Sequence, residues 1–314
     1  MSSAPLIDTQ ALKAEALRLG FSAIGFSAAE PVDPRVRQVY EEWLAQGHQA
    51  GMHYLENYPE LRFNPTLLVP GARTVISLAL CYHPGSHPTQ PALAWYAQGH
   101  DYHDVMRRLL AGLLERFGLT GRAFSDSAPV LDRYWAWRAG LGFIGRHTQL
   151  VIPRQGSAFF LGELIVEQQA DRYSTPLTPT YFDNLCGPCR RCLDACPTGA
   201  IGAGRPIMAR RCLSYQTIER RGPLDPGVGR HLSPCFYGCD RCTRACPHLH
   251  APESPILPDF SPSQALLGMT TEDWNRLSVE QYQALFRGSA VKRAKYEGLM
   301  RNIRAARESN ERSE

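Results

Sequence analysis

The sequence contains no apolar run of the length that a membrane-spanning helix requires. Its first residues, MSSAPLIDTQALKAEALRLG, also lack the basic region and following apolar stretch that are typical of a secretory signal. With 314 residues and 44% apolar content, the chain can bury one large core, or one core and a smaller second domain. We therefore expect a cytoplasmic protein with no membrane partner.

Cysteine is almost absent outside one short region of the chain. Nine of the ten cysteines lie between Cys186 and Cys246, and the exception is Cys81. Disulfides are rare in the cytoplasm, and a chain of this length does not need them for stability. Clustered thiols in a reducing compartment usually bind metal, so this region is expected to be a metal centre.

The spacing of the first cysteines indicates which metal. In CGPCRRCLDACP, two residues separate each of Cys186, Cys189 and Cys192, and three residues precede Cys196, which Pro197 follows. This is the bacterial ferredoxin pattern for a four-iron cluster, in which the fourth cysteine ligates the other cluster of a pair. Structural zinc sites, which are the alternative, use two separated pairs of ligands.

A second run, CDRCTRACP, repeats the pattern with one irregularity. Cys239, Cys242 and Cys246 match its last three positions, but Cys235 lies one residue too far upstream. The run still indicates a second cluster, so the region is predicted to hold two 4Fe-4S clusters with crossed ligation. The predicted ligands of the first cluster are Cys186, Cys189, Cys192 and Cys246.

The remaining ligand of the second cluster is predicted to come from the segment between the two runs. RRCLSYQTIER reads as a short helix, and Cys212 near its start can supply the missing thiol. The predicted ligands of the second cluster are Cys196, Cys212, Cys239 and Cys242. Cys235 is interpreted as a small apolar residue beside the cluster rather than as a ligand.

The first part of the chain mixes helical and strand-like segments. Apolar positions at helical spacing cover residues 9–19, 34–46 and 101–118, each with a glycine at or after its end. SAIGFS, RTVISLALCY, QLVIP and AFFLGELIVEQ are rich in branched and aromatic residues and are predicted to be strands. We expect an α+β protein. Its predicted parts are a mixed α/β domain over residues 1–175, a ferredoxin-like two-cluster domain over 176–256, and a C-terminal helical segment over 257–314.

Two polar groups of the first domain are candidates for chemistry. GHDYHDV places Asp101, Tyr102 and His103 at the start of a predicted helix, where Asp101 can act as a cap. DSAPV places Asp126 after a predicted strand, with apolar neighbours that are expected to desolvate its carboxyl. A desolvated carboxyl keeps its proton more readily and can act as a general acid. A plain turn residue is the alternative interpretation of Asp126.

The glycines of AGLGFIG lack the spacing of a dinucleotide-binding fingerprint, so no nicotinamide site is predicted. Gly142 and Gly145 permit either a tight turn or the close approach of backbone to a ligand. RHTQLV adds His147 and Thr148, and a lone histidine in such a segment is more often structural. The residues by themselves leave both interpretations open for this segment.

Together these segments resemble the epoxyqueuosine reductases, a family of cobalamin-dependent iron–sulfur enzymes of tRNA modification. The matching segments are LRFNPTLLVPGARTVISLAL, YAQGHDYHDV, DSAPVLDRYWAWRAGLGFIGRHT, GSAFFLGELI, both cysteine runs, RRCLSYQTIE, YGCDRC and GSAVKRAKYEGLMRN. The combination of DSAP, AGLGFIG and this cysteine arrangement is specific to the family. Its members also have a cysteine before the segment that matches SYQTIE, which supports Cys212 as a ligand.

The resemblance implies an activity and a second cofactor. Family members remove the epoxide oxygen of epoxyqueuosine at the tRNA wobble position and consume two electrons and two protons. The two clusters pass electrons from an external donor to cobalamin. The family's proton donor is the aspartate of its DSAP motif, which corresponds to Asp126. The resemblance predicts cobalamin or substrate contacts at Tyr102, His103, Asp126, Gly142, Gly145, His147 and Thr148.

The chain departs from the family pattern in two ways. Asn57 stands where many members have an arginine, so one cobalamin contact is expected to differ. Longer members continue into helical repeats, and any RNA contact made by those repeats is expected to be missing. Between Arg287 and Arg307, seven Lys or Arg residues stand against one acid, Glu297, an excess larger than the whole-chain net charge of +4. A basic helix there can follow the phosphates of a tRNA, or it can be an ordinary solvated surface.

Two other functions stay open on the sequence. Reductive dehalogenases combine cobalamin with two such clusters, but small organohalides require no basic surface for RNA. An electron-transfer module would use the first domain only to dock a partner, which leaves the DYH and DSAP groups without a role.

Overall fold

The computed structural model describes residues 6–202, 204, 206–252 and 256–311. Its main sheet has four antiparallel strands in the order β1-β2-β6-β3, and β4 pairs with β5 in a separate two-stranded sheet. The strands are Ala23–Ala28 (β1), Thr74–Cys81 (β2), Gly121–Phe124 (β3), Phe143–Ile144 (β4), Leu150–Val151 (β5) and Phe159–Val166 (β6).

Helices surround the main sheet and make up most of the regular structure after β6. The α-helices are Thr9–Arg18 (α1), Pro34–Ala45 (α2), Pro59–Phe63 (α3), Pro65–Leu68 (α4), Tyr102–Arg116 (α5), Asp132–Arg138 (α6), Arg191–Asp194 (α7), Leu213–Ile218 (α8), Arg241–Arg244 (α9), Gln264–Leu267 (α10), Thr271–Asn275 (α11), Val279–Leu285 (α12) and Lys295–Glu311 (α13). Short 3-10 helices lie at His53–Glu56, Trp95–Ala97, Ala209–Arg211, Gly229–His231, Pro258–Phe260 and Ala290–Ala294. No described helix is both long and apolar enough to span a bilayer. The mixture of sheet and helices confirms the α+β prediction.

Strand β2 is buried on both faces because helices cover each side of the sheet. Ile76, Leu78 and Leu80 pack into a core with residues of α1 and α5. Val75 and Ala79 point to the opposite face and pack with residues of α6. Side chains alternate between the faces of a strand, so a continuous apolar run is the pattern expected of such a doubly covered strand. Each fully buried aliphatic side chain of this kind contributes about 1.5–3 kcal/mol of hydrophobic stabilisation.

The predicted helices of the first domain begin and end within about two residues of the observed ones because local signals mark their ends. Asp8 and Asp33 cap α1 and α2 through backbone N–H groups of the first turn. Gly20 follows α1 with φ of +98°, a conformation that favours glycine. QLVIP, predicted as a strand, forms only the two-residue β5.

The C-terminal segment is less continuous than the sequence suggested. A helical segment was expected over 257–314, with a basic helix between Arg287 and Arg307, but a 3-10 helix at Ala290–Ala294 separates α12 from α13. Ser289 caps the 3-10 helix, and Lys295 has φ of +61°, so the chain direction changes before α13. The basic segment from Arg287 to Arg307 is therefore not a single helix, and that prediction was wrong.

A loop of the first domain joins the cysteine region to the C-terminal helices. Ala94 N–H donates to the Tyr237 carbonyl at 2.8 Å, and Phe236 N–H donates to the Ala92 carbonyl at 2.7 Å. Leu93 and Tyr237 then enter one apolar core with residues of α11, α12 and α13. This packing fixes the second cysteine run against the first domain. The domain boundaries at residues 175 and 256 stay predictions.

We predict that Gly25 in β1 cannot be replaced by alanine without loss of stability. An added Cβ would lie 2.0 Å from the carbonyl oxygen of Ala139, which follows α6. Gly25→Ala is expected to lower the free energy of unfolding by about 1–3 kcal/mol, the usual cost of overpacking. Gly112→Ala is the matched control, since a Cβ there meets nothing within 4 Å.

The control should raise the free energy of unfolding by about 0.5–1 kcal/mol, because Gly112 lies inside α5. Anaerobic urea unfolding of both variants measures the difference. Equal stability of the two alanine variants would show that α6 does not restrict the chain at Gly25.

Candidate active site and cluster centres

The four cysteines predicted to bind the first cluster surround one cavity. The residues that line this cavity include Gly145, His147, Cys186, Cys189, Cys192 and Cys246. Cys192 lies in α7 and Cys246 follows α9, and these two short helices pack on each other. The two cysteine runs therefore meet, as crossed ligation of two clusters requires.

The buried thiol of Cys192 needs a nearby positive charge to ionise and become a ligand. Burial, with a smaller effect of the neighbouring Cys186, raises the pKa of Cys192 to about 11. The thiolate is the form that binds metal, and a bound metal ion deprotonates its thiol ligands. The donor set thus fits an iron–sulfur cluster, whose irons would supply the missing charge.

The cysteines of the predicted second cluster also lie near one another. Burial raises the pKa of Cys242 to about 12, and the charges of Cys239, Cys212 and Cys196 raise it in the same direction. Cys212 occupies the N-cap position of α8, where its thiol stands at the start of the helix predicted from RRCLSYQTIER. The three segments that carry these thiols converge at one place, which supports the predicted ligand set.

Cys235 has a different environment from the predicted ligands. Its Sγ donates to the carbonyl oxygens of Tyr237 and Gly238 at 3.3 and 3.7 Å. Burial raises the pKa of this thiol to about 12. A protonated thiol that donates to backbone is consistent with the predicted non-ligand role.

The zinc alternative requires thiols gathered around one ion. Within the described ranges, no group of three or more His, Cys, Asp or Glu side chains could hold a single metal ion. The four cysteines from Cys186 to Cys246 instead face a shared cavity. A multi-iron cluster places its metal atoms inside such a ring and reaches each thiol with a different iron, so this arrangement suits a cluster.

A second polar centre lies where α5 begins and β3 ends. Tyr102 Oη donates to Asp126 Oδ2 at 2.5 Å. The Tyr102 ring stacks on His103 at 4.0 Å and on Phe160 at 4.4 Å between centroids. Asp101 caps α5 and accepts a hydrogen bond from the His103 backbone N–H, and its Oδ1 lies 2.7 Å from His103 Nδ1. The structure thus brings together three residues that the sequence placed in two separate motifs.

The ionisation of these groups is coupled. Burial, followed by the charge of Asp126, raises the pKa of Tyr102 far above its ordinary value. The hydrogen bond to Asp101 raises the pKa of His103. Tyr102 therefore keeps its proton at neutral pH and serves as a permanent donor to the Asp126 carboxyl.

Asp126 is more exposed than the sequence suggested. Apolar neighbours were expected to desolvate it, but its side chain is exposed, whereas Phe124 and Val130 on either side are buried. The backbone at Asp126 is left-handed, with φ of +50°. Within this chain the carboxyl is open to solvent, so only a ligand bound over the loop would remove it from water.

The remaining predicted cobalamin contacts lie around β4 and β5. Gly142 lies tightly against β5, because a Cβ there would stand 2.3 Å from the Val151 carbonyl oxygen. His147 is 2% exposed, and burial lowers its pKa to about 4, so the ring is neutral. Gly145 and His147 line the cavity of the first cluster, and Thr148 accepts a hydrogen bond from Arg133 through its carbonyl. In the described part of the chain, no hydrogen bond joins these four residues to Tyr102 or Asp126.

Sequence reasoning missed two acids behind Asp126. Glu163 in β6 is fully buried, and Asp132 begins α6 with its Oδ1 3.4 Å from the backbone nitrogen of Asp126. The only sequence signal for Glu163 is one acid inside the apolar strand FFLGELIV. Its neighbours come from other strands, so that signal could not indicate what the acid contacts.

Two models of known protein families match this chain, one over each of the two centres. The model for the "4Fe-4S double cluster binding domain" matches residues 185–248, which contain nine of the ten cysteines. The model for "Epoxyqueuosine reductase QueG, DUF1730" matches residues 62–127, which contain Tyr102, His103 and Asp126. The chain is therefore an iron–sulfur protein. Its double-cluster domain lies beside a second domain that carries the acid site, which consists of Tyr102, His103 and Asp126.

Relatives over nearly the whole chain define the family. An epoxyqueuosine reductase of Cellulophaga algicola is 39% identical and covers 93% of this chain and 95% of the relative. One of Leadbetterella byssophila is 36% identical and covers 95% and 97%. The chain belongs to the epoxyqueuosine reductase family.

Solved structures agree with this assignment. A crystal structure of an epoxyqueuosine reductase with an epoxyqueuosine-modified tRNA-Tyr stem loop has a TM-score of 0.82 at 25% identity, over 96% of this chain and 80% of that one. A Bacillus subtilis epoxyqueuosine reductase has a TM-score of 0.82 at 26% identity, with 96% and 81% covered. That structure is described as having its catalytic aspartate loop swung out of the active site. The shared fold extends over both centres of this chain.

We predict that Cys212 is a cluster ligand and Cys235 is not. Two four-iron clusters give about eight irons per chain. Cys212→Ser is expected to remove about half of that iron and to abolish turnover, because electrons can no longer pass through the second cluster. Cys235→Ser is the matched control and should retain nearly all of its iron.

Iron analysis and visible absorption of anaerobically purified variants measure the effect. Iron loss in Cys235→Ser together with full iron in Cys212→Ser would show that Cys235, and not Cys212, is the cluster ligand. Stoichiometric zinc with little iron in the unaltered protein would exclude the cluster interpretation.

Proposed function

We propose that this chain removes the epoxide oxygen of epoxyqueuosine in tRNA, with electrons passing from an external donor through two 4Fe-4S clusters to cobalamin. The observation that carries this proposal is the Tyr102–Asp126 pair at 2.5 Å, on a chain whose thiols converge into two groups. Family membership and the tRNA-bound relative support the substrate. Because the substrate is tRNA, the proposed place of action is the cytoplasm.

The predicted cobalamin contacts fit the structure unequally. Tyr102, His103 and Asp126 share one partly exposed site, which suits contact with a cofactor or substrate above it. His147 is buried beside the first-cluster cavity, so we propose that it supports that cluster's surroundings. When bound, cobalamin would supply a strongly reducing cobalt centre beside the substrate.

We infer that Tyr102 positions the acid that protonates the epoxide oxygen. Its hydroxyl donates to Asp126 Oδ2, so a proton carried by Asp126 belongs on Oδ1, the oxygen that Tyr102 leaves free. Phe160 and His103 hold the Tyr102 ring from both faces, which restricts the direction of that hydrogen bond. A substrate covering the exposed loop would desolvate the carboxyl and favour its protonated form.

The loop of Asp126 is suited to move with the substrate. Asp126 has a left-handed backbone conformation, and its side chain is exposed. The catalytic aspartate loop of the Bacillus subtilis relative is described as swung out of its active site. We propose that the loop of this chain has a similar freedom and that the Tyr102 hydrogen bond holds its inward position.

The basic segment offers fewer free cations for RNA than its composition suggested. Arg293 forms an ion pair with Glu219 at 2.8 Å. Arg301 donates to the backbone carbonyls of Gln216, Arg220 and Gly222 at 2.7–2.8 Å. Arg293 thus holds the 3-10 helix Ala290–Ala294, and Arg301 holds α13, against the cysteine region. The exposed cations proposed to contact phosphates are Lys292, Lys295 and Arg304.

We predict that Asp126→Asn abolishes turnover while leaving the cofactors bound. Asparagine keeps the size and the acceptor for Tyr102 but carries no acidic proton. Turnover is expected to fall by about a hundred- to ten-thousand-fold, the usual contribution of a general acid. Formation of queuosine is measured on tRNA from a strain blocked at this step, in single turnovers of chemically reduced holoenzyme.

Asp104→Asn is the matched control, because Asp104 is an exposed acid at the start of α5 whose carboxylate forms an ion pair with Arg107. It should retain nearly full activity. Near-normal turnover of Asp126→Asn would show that Asp126 is a turn residue and not the proton donor. Turnover of organohalides but not of tRNA by the unaltered protein would instead indicate a dehalogenase, and cobalamin-free protein would indicate an electron carrier.

We predict that Lys292 and Lys295 contribute to tRNA binding through phosphates. Replacing both with glutamine should weaken binding several-fold for modified and unmodified tRNA alike, because phosphate contacts carry no sequence information. The salt dependence of the dissociation constant should become shallower by about one unit of slope for each lysine that binds a phosphate.

Lys13→Gln provides the control, since Lys13 is the one other lysine in the sequence and is exposed on α1, in the N-terminal domain. Fluorescence anisotropy over a range of salt concentrations measures both variants. An unchanged salt slope in the double variant would show that these lysines are merely solvated.

A further inference from the structure

A buried polar group lies between the main sheet and α6. Glu163 in β6 pairs in register with Ser77 in β2 and with Phe124 in β3. Directly paired residues of antiparallel strands project to the same face of the sheet. Glu163 and Ser77 therefore point together to the α6 side, among the apolar residues of that core.

The polar atoms of this group are not satisfied by ordinary hydrogen bonds. Glu163 and Ser77 are both fully buried. Among the described residues, Ser77 Oγ has no hydrogen-bond partner, and the two oxygens of Glu163 have none other than the neighbouring carboxyl of Asp132. An ionised carboxylate without partners is strongly disfavoured in an apolar interior. Glu163 therefore holds a proton, and a buried water can satisfy the remaining polar atoms.

Asp132 is the neighbouring acid. Burial, followed by the charge of the Asp132 carboxylate, raises the pKa of Glu163 well above its ordinary value. Burial also raises the pKa of Asp132, and the charge of Asp126 adds to this effect. Two neighbouring carboxyls, of which Glu163 is fully buried and Asp132 half-buried, disfavour ionisation of each other, so the pair retains at least one proton at a pH where free acids are ionised.

The surroundings supply no positive charge to the pair. The titratable groups that face it are Asp126 on the loop after β3 and Tyr102 at the start of α5. Arg122 of β3 donates instead to the Leu68 carbonyl, and Arg133 of α6 donates to the Thr148 carbonyl. No ion pair with Glu163 or Asp132 occurs in the described part of the chain.

The proposed reaction needs more protons than Asp126 can carry. Both carbon–oxygen bonds of the epoxide break, a carbon–carbon double bond forms, and the oxygen leaves as water with two electrons and two protons. The clusters supply the electrons, but a single carboxylic acid holds one proton. A second proton has to reach the same oxygen while the substrate covers Asp126.

We propose that Glu163 and Asp132 form a proton store that recharges Asp126 during each turnover. This inference rests on the proposed function. After Asp126 gives its proton to the epoxide oxygen, Asp132 passes a proton to the Asp126 carboxylate and Glu163 returns one to Asp132. Asp126 then delivers the second proton, and the pair is refilled from solvent through exposed Asp126 once the product leaves. Glu163 and Asp132 do not touch substrate, so they are positioning residues.

Glu163→Gln tests the store, because glutamine keeps the shape but carries no transferable proton. Formation of queuosine by reduced holoenzyme is expected to fall about tenfold near pH 8 and to approach the unaltered rate near pH 6, where solvent acids recharge Asp126. A small permeant acid such as imidazolium should restore part of the loss. The KM for tRNA should stay the same.

Glu15→Gln is the matched control. Glu15 is also a buried glutamate, but it packs on the opposite side of the sheet and pairs with Arg18 and Arg116. Its replacement should leave the pH profile of turnover unchanged. Asp132→Asn removes the other half of the pair and carries the test if Glu163→Gln does not fold.

A second measurement is independent of activity. Infrared spectra of the unaltered holoenzyme at neutral pH should contain the carbonyl band of a protonated, buried carboxylic acid, which shifts in heavy water. The band should be absent from Glu163→Gln and present in Glu15→Gln. Its absence from the unaltered protein would overturn the proposal.

The pH profile and the infrared band separate the possible failures. A band that disappears in Glu163→Gln while the pH profile is unchanged would show a buried acid that stores no catalytic proton, which overturns the proposal. If the unaltered protein does not act on epoxyqueuosine tRNA, the proposed function is overturned. The proposal that the pair supplies protons for this reaction is then overturned as well. The band would still report whether the pair holds a proton.

Discussion

The convergence of thiols from three separate segments constrains the rest of the structure. Packing of α7 on α9 brings together the two cysteine runs, and α8 adds Cys212 from the segment between them. Burial raises the pKa of Cys192 and of Cys242, so these two thiols do not become thiolates unless metal charge offsets the cost. Cluster binding and the folding of this region are therefore expected to be linked.

Hydrogen bonds join the first domain to the cysteine region at several places. The loop around Leu93 pairs with Tyr237 and joins the apolar core of the C-terminal helices. On the other side of the clusters, Gly145 and His147 form part of the first-cluster cavity. The sheet that carries the acid site is thereby fixed relative to the path of the electrons.

The sheet also places the exposed Asp126 next to Asp132 and Glu163, the pair that we propose as a proton store. Tyr102 and Asp126 are 24 residues apart in sequence but meet because α5 begins at the edge where β3 ends. Asp132 and Glu163 continue from this point into the core, where burial keeps protons bound. The exposure of the acids thus decreases from the loop of Asp126 inward to Glu163 in β6.

Local signals in the sequence determined the cysteine pattern, the family, and the helices α1, α2 and α5 to within about two residues. Spacing, periodicity and capping residues act over a few positions, so they can be read from the chain directly. Tertiary structure decided the exposure of Asp126, the break before α13, the structural roles of Arg293 and Arg301, and the neighbours of Glu163. Each of these depends on residues far away in the sequence. The partners of Arg293 and Arg301 in the cysteine region lie 72 to 85 residues away. Glu163, the acid in FFLGELIV, faces α6, which begins 31 positions earlier. Burial and charge act through space, so only the folded chain could determine them.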